Sequence, residues 1–500
     1  MSRRVAAVTV DKATYPVVSP FNPSIPYPEY QGQDICEGPN YAYDGVRQSF
    51  RALGLDAEHF DSVNWNPLGR FINPGSTVVI KPNFVLSRHK RGGDLWSIIT
   101  HPSIIRAVAD YVAIALGGSG RIIVADAPQY DCDWSELAKC CEFDSLVDHF
   151  EQLGGPTLEF IDLRSYWSAG KHFDSMRIGL PGDPLGSSVV DLGPESQLGS
   201  KDSERFYGAV YHRAETARHH VGSKQEYEIS NTILTADTLI FIPKMKIHKK
   251  VGVTLAAKGL VGICTNKNFL VHYSLGSPAR GGDQYPIGHF TKMEERIIRL
   301  ERWMYDHLLA SRLSFLEYVH RSIYVVHRYT LHPLGIRVSP EKRKLDAGNW
   351  HGNDSAWRMT ADLVKLIRFT SPTGEFPIEV ERTCFTIIDG IVGGENEGPL
   401  LPDAKASGAI VASADFLAAD LVATRLMGID PSRLPIYASE FSISGNLNSL
   451  KRSIEVVAND PRWEACMSDL TSQFLGFRTH PGWTNTIAVS YTHLRAHETS

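Results

Sequence analysis

The chain has 500 residues, 43% hydrophobic and 21% charged, with a formal net charge of −5. That balance suits a globular protein large enough for two α/β lobes with insertions, and it argues against a general pull toward nucleic acid or an anionic membrane. Seven scattered cysteines, none in a CxxC, argue against both a disulfide framework and a ferredoxin-type 4Fe-4S centre.

In chain order, residues 1–70 form an N-terminal extension rich in Pro, Tyr and Asn. Its opening reads as a strand rather than a signal peptide, and Tyr43–Leu53 reads as a helix. Residues 71–245 form a first lobe, with strands at Thr77–Ile80, Arg121–Ala125 and Thr238–Ile242 and a helix at Pro102–Leu116. Gly117–Gly120 follows that helix and precedes a strand, so it is a helix cap rather than a dinucleotide loop. Residues 165–232 read as surface loops or a small β-rich excursion. A second lobe, 246–440, carries strands at Cys384–Ile388 and Gly408–Ala412 and a helical insertion at about 290–370. A C-terminal segment covers 441–487. Residues 488–500 lack periodicity, resemble a translated sequencing adapter and are set aside with their His493 and His497. Strands alternating with helices predict an α/β fold: mostly parallel sheets in two lobes with helices on both faces, plus a helical insertion. No apolar run approaches the length of a membrane span, and a cytoplasmic location is expected.

Polar residues follow each expected strand: Lys81-Pro82-Asn83, Asp126-Ala127-Pro128, Pro243-Lys244-Met245-Lys246-Ile247-His248, Asp389-Gly390 through Glu395, Glu397 and Pro399, and Ser413-Ala414-Asp415. In an open parallel sheet the carboxyl ends share one edge, where ligands bind, so these five loops are expected to form one polar cleft. Lys81 and Lys258 stand beside apolar runs, where an ammonium is costly unless it meets an anion or does chemistry. His248 suits proton transfer near neutral pH. Lys258 suits a nucleophile, Schiff-base former or anion clamp. Asn83, Asp126, Lys246, Thr254, Asp389 and Glu397 are expected to place the substrate. His272 and Glu395 are candidate metal ligands. Trp350 and Trp357, beside Asp354 and Arg358, resemble a sugar- or aromatic-binding wall. Several of these residues have blander readings. Asp415 suits a helix N-cap, Asp420 a partly exposed helix carboxylate, and His272 a surface histidine.

These motifs resemble the bacterial and archaeal family called domain of unknown function 362. They are Val79-Ile-Lys-Pro-Asn83, Thr100-His101-Pro102, Ile242–His248, Thr254–Gly262, Asp389-Gly390 with Glu397-Gly398-Pro399, and Ala414-Asp415 through Asp420. The family's lysine-asparagine pair is Lys258-Gly259 here. Some members carry an iron–sulfur domain, whose cysteines this chain lacks. A shorter stretch, His248 to Lys258, is similar to part of the nickel-pincer lactate racemases. That likeness implies an acid/base role for His248, a cofactor anchor at Lys258 and a metal ligand at His272, although Val-Thr-Leu-Ala-Ala replaces the racemases' glycine-rich stretch. A divalent metal or nickel-pincer cofactor is therefore an expected possibility. The leading expectation is an enzyme acting on a small polar or anionic metabolite by acid/base chemistry, isomerase- or racemase-like in its sharpest form. His248 is then the acid/base, with Lys258 and Lys81 as anion clamp. Its rivals are a non-catalytic metal- or metabolite-binding redox accessory and, through Lys244–Lys250, a nucleic-acid binder.

Overall fold

The apolar runs read from the sequence pair with one another into a ten-stranded sheet. A computed structural model of the chain describes residues 3–32, 34–168, 177–208, 213–304, 306–307, 338–379, 382–438, 447–468 and 474–487. The adapter-like tail at 488–500 and the middle of the expected insertion, 308–337, lie outside the described residues.

The elements used below are β1 (Arg3–Thr9), α1 (Tyr41–Ala52), β2 (Thr77–Pro82), α2 (Pro102–Leu116), β3 (Arg121–Asp126), β4 (Thr157–Asp162), β5 (Thr238–Ile242), β6 (Lys244–His248), β7 (Gly252–Val253), α3 (Leu255–Gly259), α4 (Lys292–Met304), α5 (Ala356–Phe369), β8 (Cys384–Glu395), β9 (Asp403–Ser413), α6 (Phe416–Leu426) and β10 (Ile454–Ala458). Across the sheet the strands run β10-β1-β9-β8-β5-β2-β3-β4, and β6 pairs with β8 and β7. Most pairings are parallel; β1 with β9, β8 with β9, and β6 with β7 are antiparallel. Strands from both expected lobes, and from the two terminal segments, thus hydrogen-bond within a single sheet.

Successive strand residues face opposite sides, and the core divides accordingly. Val78, Ile80, Ile122, Val124, Ile240 and Ile242 pack with α1 and α2. Val79, Ile123, Leu239 and Phe241 pack with α3, α5 and α6. Each such fully buried aliphatic side chain contributes roughly 1.5–3 kcal/mol. The helix Pro102–Leu116 has the expected bounds and ends on Gly117 in the left-handed region, φ 65°. Within 165–232 lie short antiparallel pairs, Tyr166–Ser168 with Arg177–Gly179 and Ser187–Asp191 with Glu226–Ser230. No helix among the described residues is long and apolar enough to cross a membrane.

Four expectations are corrected. Because β9 is antiparallel to β8, its carboxyl end lies at the edge opposite the carboxyl ends of β2, β3 and β5. Asp415 therefore leaves the expected cleft. It caps α6 through the amides of Leu417 and Ala418 and pairs with Arg3. Lys244–His248 is a strand rather than a loop entering a helix, and residues 390–395 continue strand β8 rather than opening a glycine loop. Asp420 is fully buried rather than partly exposed.

Candidate functional site

Strand β6 alternates basic and apolar residues, Lys244-Met245-Lys246-Ile247-His248. Met245 and Ile247 enter the apolar core, so Lys244, Lys246 and His248 share the other side. All three are buried. Lys244 stands opposite Asp389 in the register, and its Nζ lies 2.9 Å from the Asp389 carboxylate and 2.7 Å from the Tyr15 hydroxyl. The Tyr15 hydroxyl donates to Asp389 as well. Asp389 thus belongs to a closed polar network beneath the site.

Beyond Lys244 a cavity of about 340 Å³ opens where the ends of β2, β3 and β6 meet α3 and the loops after it. Its volume is at the low end of metabolite pockets, about 300–1,000 Å³. Asn83, Asp126, Lys246, His248, Thr254, Lys258 and His272 line it, all expected from the sequence. Lys249, Lys250, Lys267, Arg302 and Asn349 line it too. Lys267 and Arg302 carried no sequence signal, because each comes from a segment with neither motif nor strand beside it.

Six of these side chains are basic and one is a carboxylate, Asp126, which is already engaged. Asp126 Oδ1 lies 2.8 Å from Lys81 Nζ, and Oδ2 accepts the Phe84 amide at 2.7 Å. Lys81 also donates to the Pro82 carbonyl. It is therefore committed beneath the lining rather than facing the cavity. Gly262 permits this pair: a Cβ there would stand 1.8 Å from Asp126 Oδ1 and 2.5 Å from Lys81 Nζ.

The cations differ in what they already hold. Lys246 donates to the Ile98 carbonyl, Lys267 to Val261 at 2.7 Å, and Lys250 to Ala347. Among the described residues Lys258 makes no hydrogen bond or ion pair. Burial, then the neighbouring Lys267 and Lys81 charges, push its amine down to about 7, against a favourable influence of Cys264. Burial also pushes Lys267 down to about 8 and Lys246 well below the usual lysine range. Two buried lining atoms, Asn83 Oδ1 and Thr254 Oγ1, have no hydrogen-bond partner among the described residues.

The two histidines hold different tautomers. His248 Nδ1 accepts the Lys250 amide at 3.1 Å, which leaves the proton of the neutral ring on Nε2. His272 Nδ1 lies 3.1 Å from the Leu270 carbonyl, so it carries the proton and Nε2 keeps a lone pair. Burial, then Lys258 and Lys250, hold both rings well below the usual histidine range, and both are neutral at pH 7.

Helix α3 is held from outside. The Asp420 carboxylate accepts the amides of Ala256 and Ala257 at 2.8 and 2.9 Å. Burial raises this carboxyl to about 7 despite those donors. Thr100 joins two strand ends, accepting the Asn83 amide and donating to the Ile242 carbonyl.

Other expected residues stand apart. Glu397 pairs with Arg91 and Lys344, and Glu395 accepts from Arg478. Asp354 binds Lys201 and Arg358. The Trp350 indole donates to Asp283 and the Trp357 indole to Asp354, both rings being buried. They form no open wall. Glu395 and His272 share no cluster, and no group of three or more His, Cys, Asp or Glu among the described residues could hold a metal ion. A cavity walled by cations also fits a bare divalent cation poorly. Lys244, Lys246 and Lys250 are buried and offer no exposed basic face for nucleic acid.

No curated protein matches the chain. The likeness to nickel-pincer lactate racemases therefore finds no support. A crystal structure of a Thermotoga maritima protein, a target of the Northeast Structural Genomics Consortium, is 11% identical with a TM-score of 0.29. The similarity covers 76% of this chain and 58% of that one, so this chain spans under two thirds of that protein's length. The family profile for the domain of unknown function 362 matches residues 78–181 and 204–425, about two thirds of the sequence. The chain belongs to the domain of unknown function 362 family.

Proposed function

We propose that this protein is an enzyme acting on a small anionic metabolite by acid/base chemistry at a carbon beside a carbonyl or carboxylate. The observation that carries this reading is a metabolite-sized cavity lined by six basic side chains, with the Lys258 amine, unpartnered among the described residues and pushed down to about 7, beside two neutral histidines of complementary tautomer.

The chemistry follows from those protonation states. The neutral amine of Lys258 removes a proton from the carbon next to the carbonyl. The electron pair moves onto the carbonyl oxygen, where the His248 Nε2–H and the surrounding ammonium groups stabilise the developing charge. A proton returned to carbon by the Lys258 ammonium completes an isomerisation with no net change in redox state, while the His248 Nε2–H keeps its hydrogen bond to the oxygen. The tautomer thus makes His248 a proton donor first, and gives the base role to Lys258. Lys81 orders Asp126 at the floor rather than touching the ligand.

The test combines binding with exchange. Screened against short hydroxy-, oxo- and phospho-carboxylates, the wild-type protein should gain thermal stability with at least one of them. In D2O that compound should take up deuterium at the carbon beside its carbonyl, by NMR. Lys258→Met should lose the exchange and weaken binding. Anions that bind Lys258→Met and wild type alike, or that bind without exchange, would overturn the catalytic reading in favour of a non-catalytic metabolite-binding protein.

A further inference from the structure

The cations of the cavity fall into two groups on different elements. The first sits at the floor, where Lys246, Lys258 and Lys267 come from β6, α3 and the loop after it. Lys267 is anchored on Val261, next to the Gly262 that touches the Lys81–Asp126 pair. The second sits at the far wall. There Lys250 Nζ lies 5.2 Å from the Tyr273 ring centre and the Arg302 guanidinium 5.7 Å from that same centre. One aromatic ring therefore gathers these two cations from the β6–β7 turn and α4. The Tyr273 hydroxyl is itself buried without a hydrogen-bond partner among the described residues.

The histidines connect the groups. The His248 ring binds the amide of Lys250 on one side, and its strand carries Lys246 on the other. His272 directly precedes Tyr273 in the chain. Both rings line the cavity together with Lys258 and Lys250.

The floor holds no uncommitted carboxylate, and the far wall is neutralised only in part. At the floor the one carboxylate, Asp126, is paired with Lys81. At the far wall the Asp346 carboxylate offsets Arg302 across 3.5 Å, with Gln284 and the Ala347 amide on its other oxygen, so the uncompensated charge of this group is that of Lys250. Asp283 accepts from Lys201, Ser355 and the Ser274 amide. Lys250 itself donates to the Ala347 carbonyl and faces the Tyr273 ring, with no carboxylate within ion-pair distance among the described residues. Buried cations of one sign, separated into two clusters, call for a ligand with negative charge at both ends.

We propose that the substrate is a bis-anion, a dicarboxylate or phospho-carboxylate. Its first anionic group sits among Lys246, Lys258 and Lys267 and its second between Lys250 and Arg302, with the reacting carbon facing His248 and His272. This rests on the anionic-metabolite reading above and deepens it. The two ends have distinct tasks. The floor group lies beside the base and so holds the carboxylate or carbonyl whose neighbouring carbon reacts. The far group selects and orients the chain.

Matched pairs test the idea by calorimetry: 2-hydroxybutyrate against 2-hydroxysuccinate, and glycerate against 3-phosphoglycerate. In the wild-type protein the dianion of at least one pair should bind about tenfold tighter than its monoanion, a charge-assisted bidentate advantage. In Lys250→Met and in Arg302→Gln, each checked for folding by circular dichroism, that ratio should fall toward one. In Lys258→Met both members of the pair should weaken together. Equal binding of mono- and dianions in the wild type, or a ratio untouched by both far-wall variants, would overturn the bis-anion proposal while leaving a monoanion enzyme standing. If none of the four compounds binds, the anionic-metabolite reading fails with it.

Discussion

Lys258 is buried at the wall of the cavity and pairs with no carboxylate among the described residues. Such a group relieves its desolvation by giving up its proton, and its amine is pushed down to about 7. The stability consequence has a definite sign. An unfolded chain keeps the lysine protonated up to its usual 10.5, so between about pH 7 and 10.5 the unfolded state holds more protons, and stability rises with pH in that window. Below pH 7 the full burden of the buried charge is present. Lys258→Met should therefore be more stable than wild type, most clearly below pH 7, with the gain shrinking as pH climbs toward 10. Chemical denaturation of both proteins across pH 6–10 measures this, and a pH-independent difference would show that Lys258 is solvated. The same titration governs the site: anions should bind best while Lys258 and Lys267 are charged and more weakly above about pH 8.

Helix α3 has five residues, too few to be stable alone. It is held in place by Asp420 on α6, whose carboxylate takes two of its first amides. Asp420→Asn retains one acceptor oxygen and brings an NH2 that cannot accept. One buried amide is then left unpaired, at about 1–3 kcal/mol, and Lys258 is no longer held in position. Urea denaturation should read that loss, and anion binding should weaken. Unchanged affinity would mean that packing alone positions α3. Nothing in the sequence around Asp420 announces this role, because its partners lie more than 160 residues earlier and a carboxylate in a helix ordinarily faces solvent. Strand β6 carries a strand signal in its sequence. Its basic and apolar residues alternate with the period of a strand, but three basic residues on one face resemble a loop until a cavity gives them a purpose. The direction of β9 was not legible. The sequence places β8 and β9 only at Cys384–Ile388 and Gly408–Ala412, far enough apart for a crossover; both are longer, and the residues 396–402 left between them are too few for the crossover a parallel pair needs. The strands and helix around residues 77–126 were recovered nearly to the residue because their apolar spacing and Gly117 cap are local signals. Lys267 and Arg302 were not, because only tertiary packing carries them to the cavity.

At the scale of the whole molecule, the site is closed by chain remote in sequence. Tyr15 from the N-terminal extension completes the Lys244–Asp389 network, and the C-terminal segment supports the turn between β6 and β7. Trp483 is buried, and its indole donates to the Lys249 carbonyl at 2.7 Å, across 234 residues. It also lies against Gly252, where φ is +92° and an added Cβ would meet Leu434 at 2.4 Å and Trp483 at 3.5 Å. This turn carries Lys249 and Lys250, so Trp483 holds the far wall from behind. Trp483→Ala opens a cavity and removes the hydrogen bond, and should cost about 3–5 kcal/mol. Trp483→Phe keeps most of the packing and should cost about 1 kcal/mol from the lost hydrogen bond. If the turn depends on this support, Trp483→Phe should leave the order of anion affinities intact, whereas Trp483→Ala should lose the preference for dianions even at temperatures where it stays folded. Urea midpoints and calorimetric affinities measured together decide it. A Trp483→Ala protein that is destabilised yet still prefers dianions would show that the two-residue pairing of β6 with β7 is enough to hold Lys250 in place.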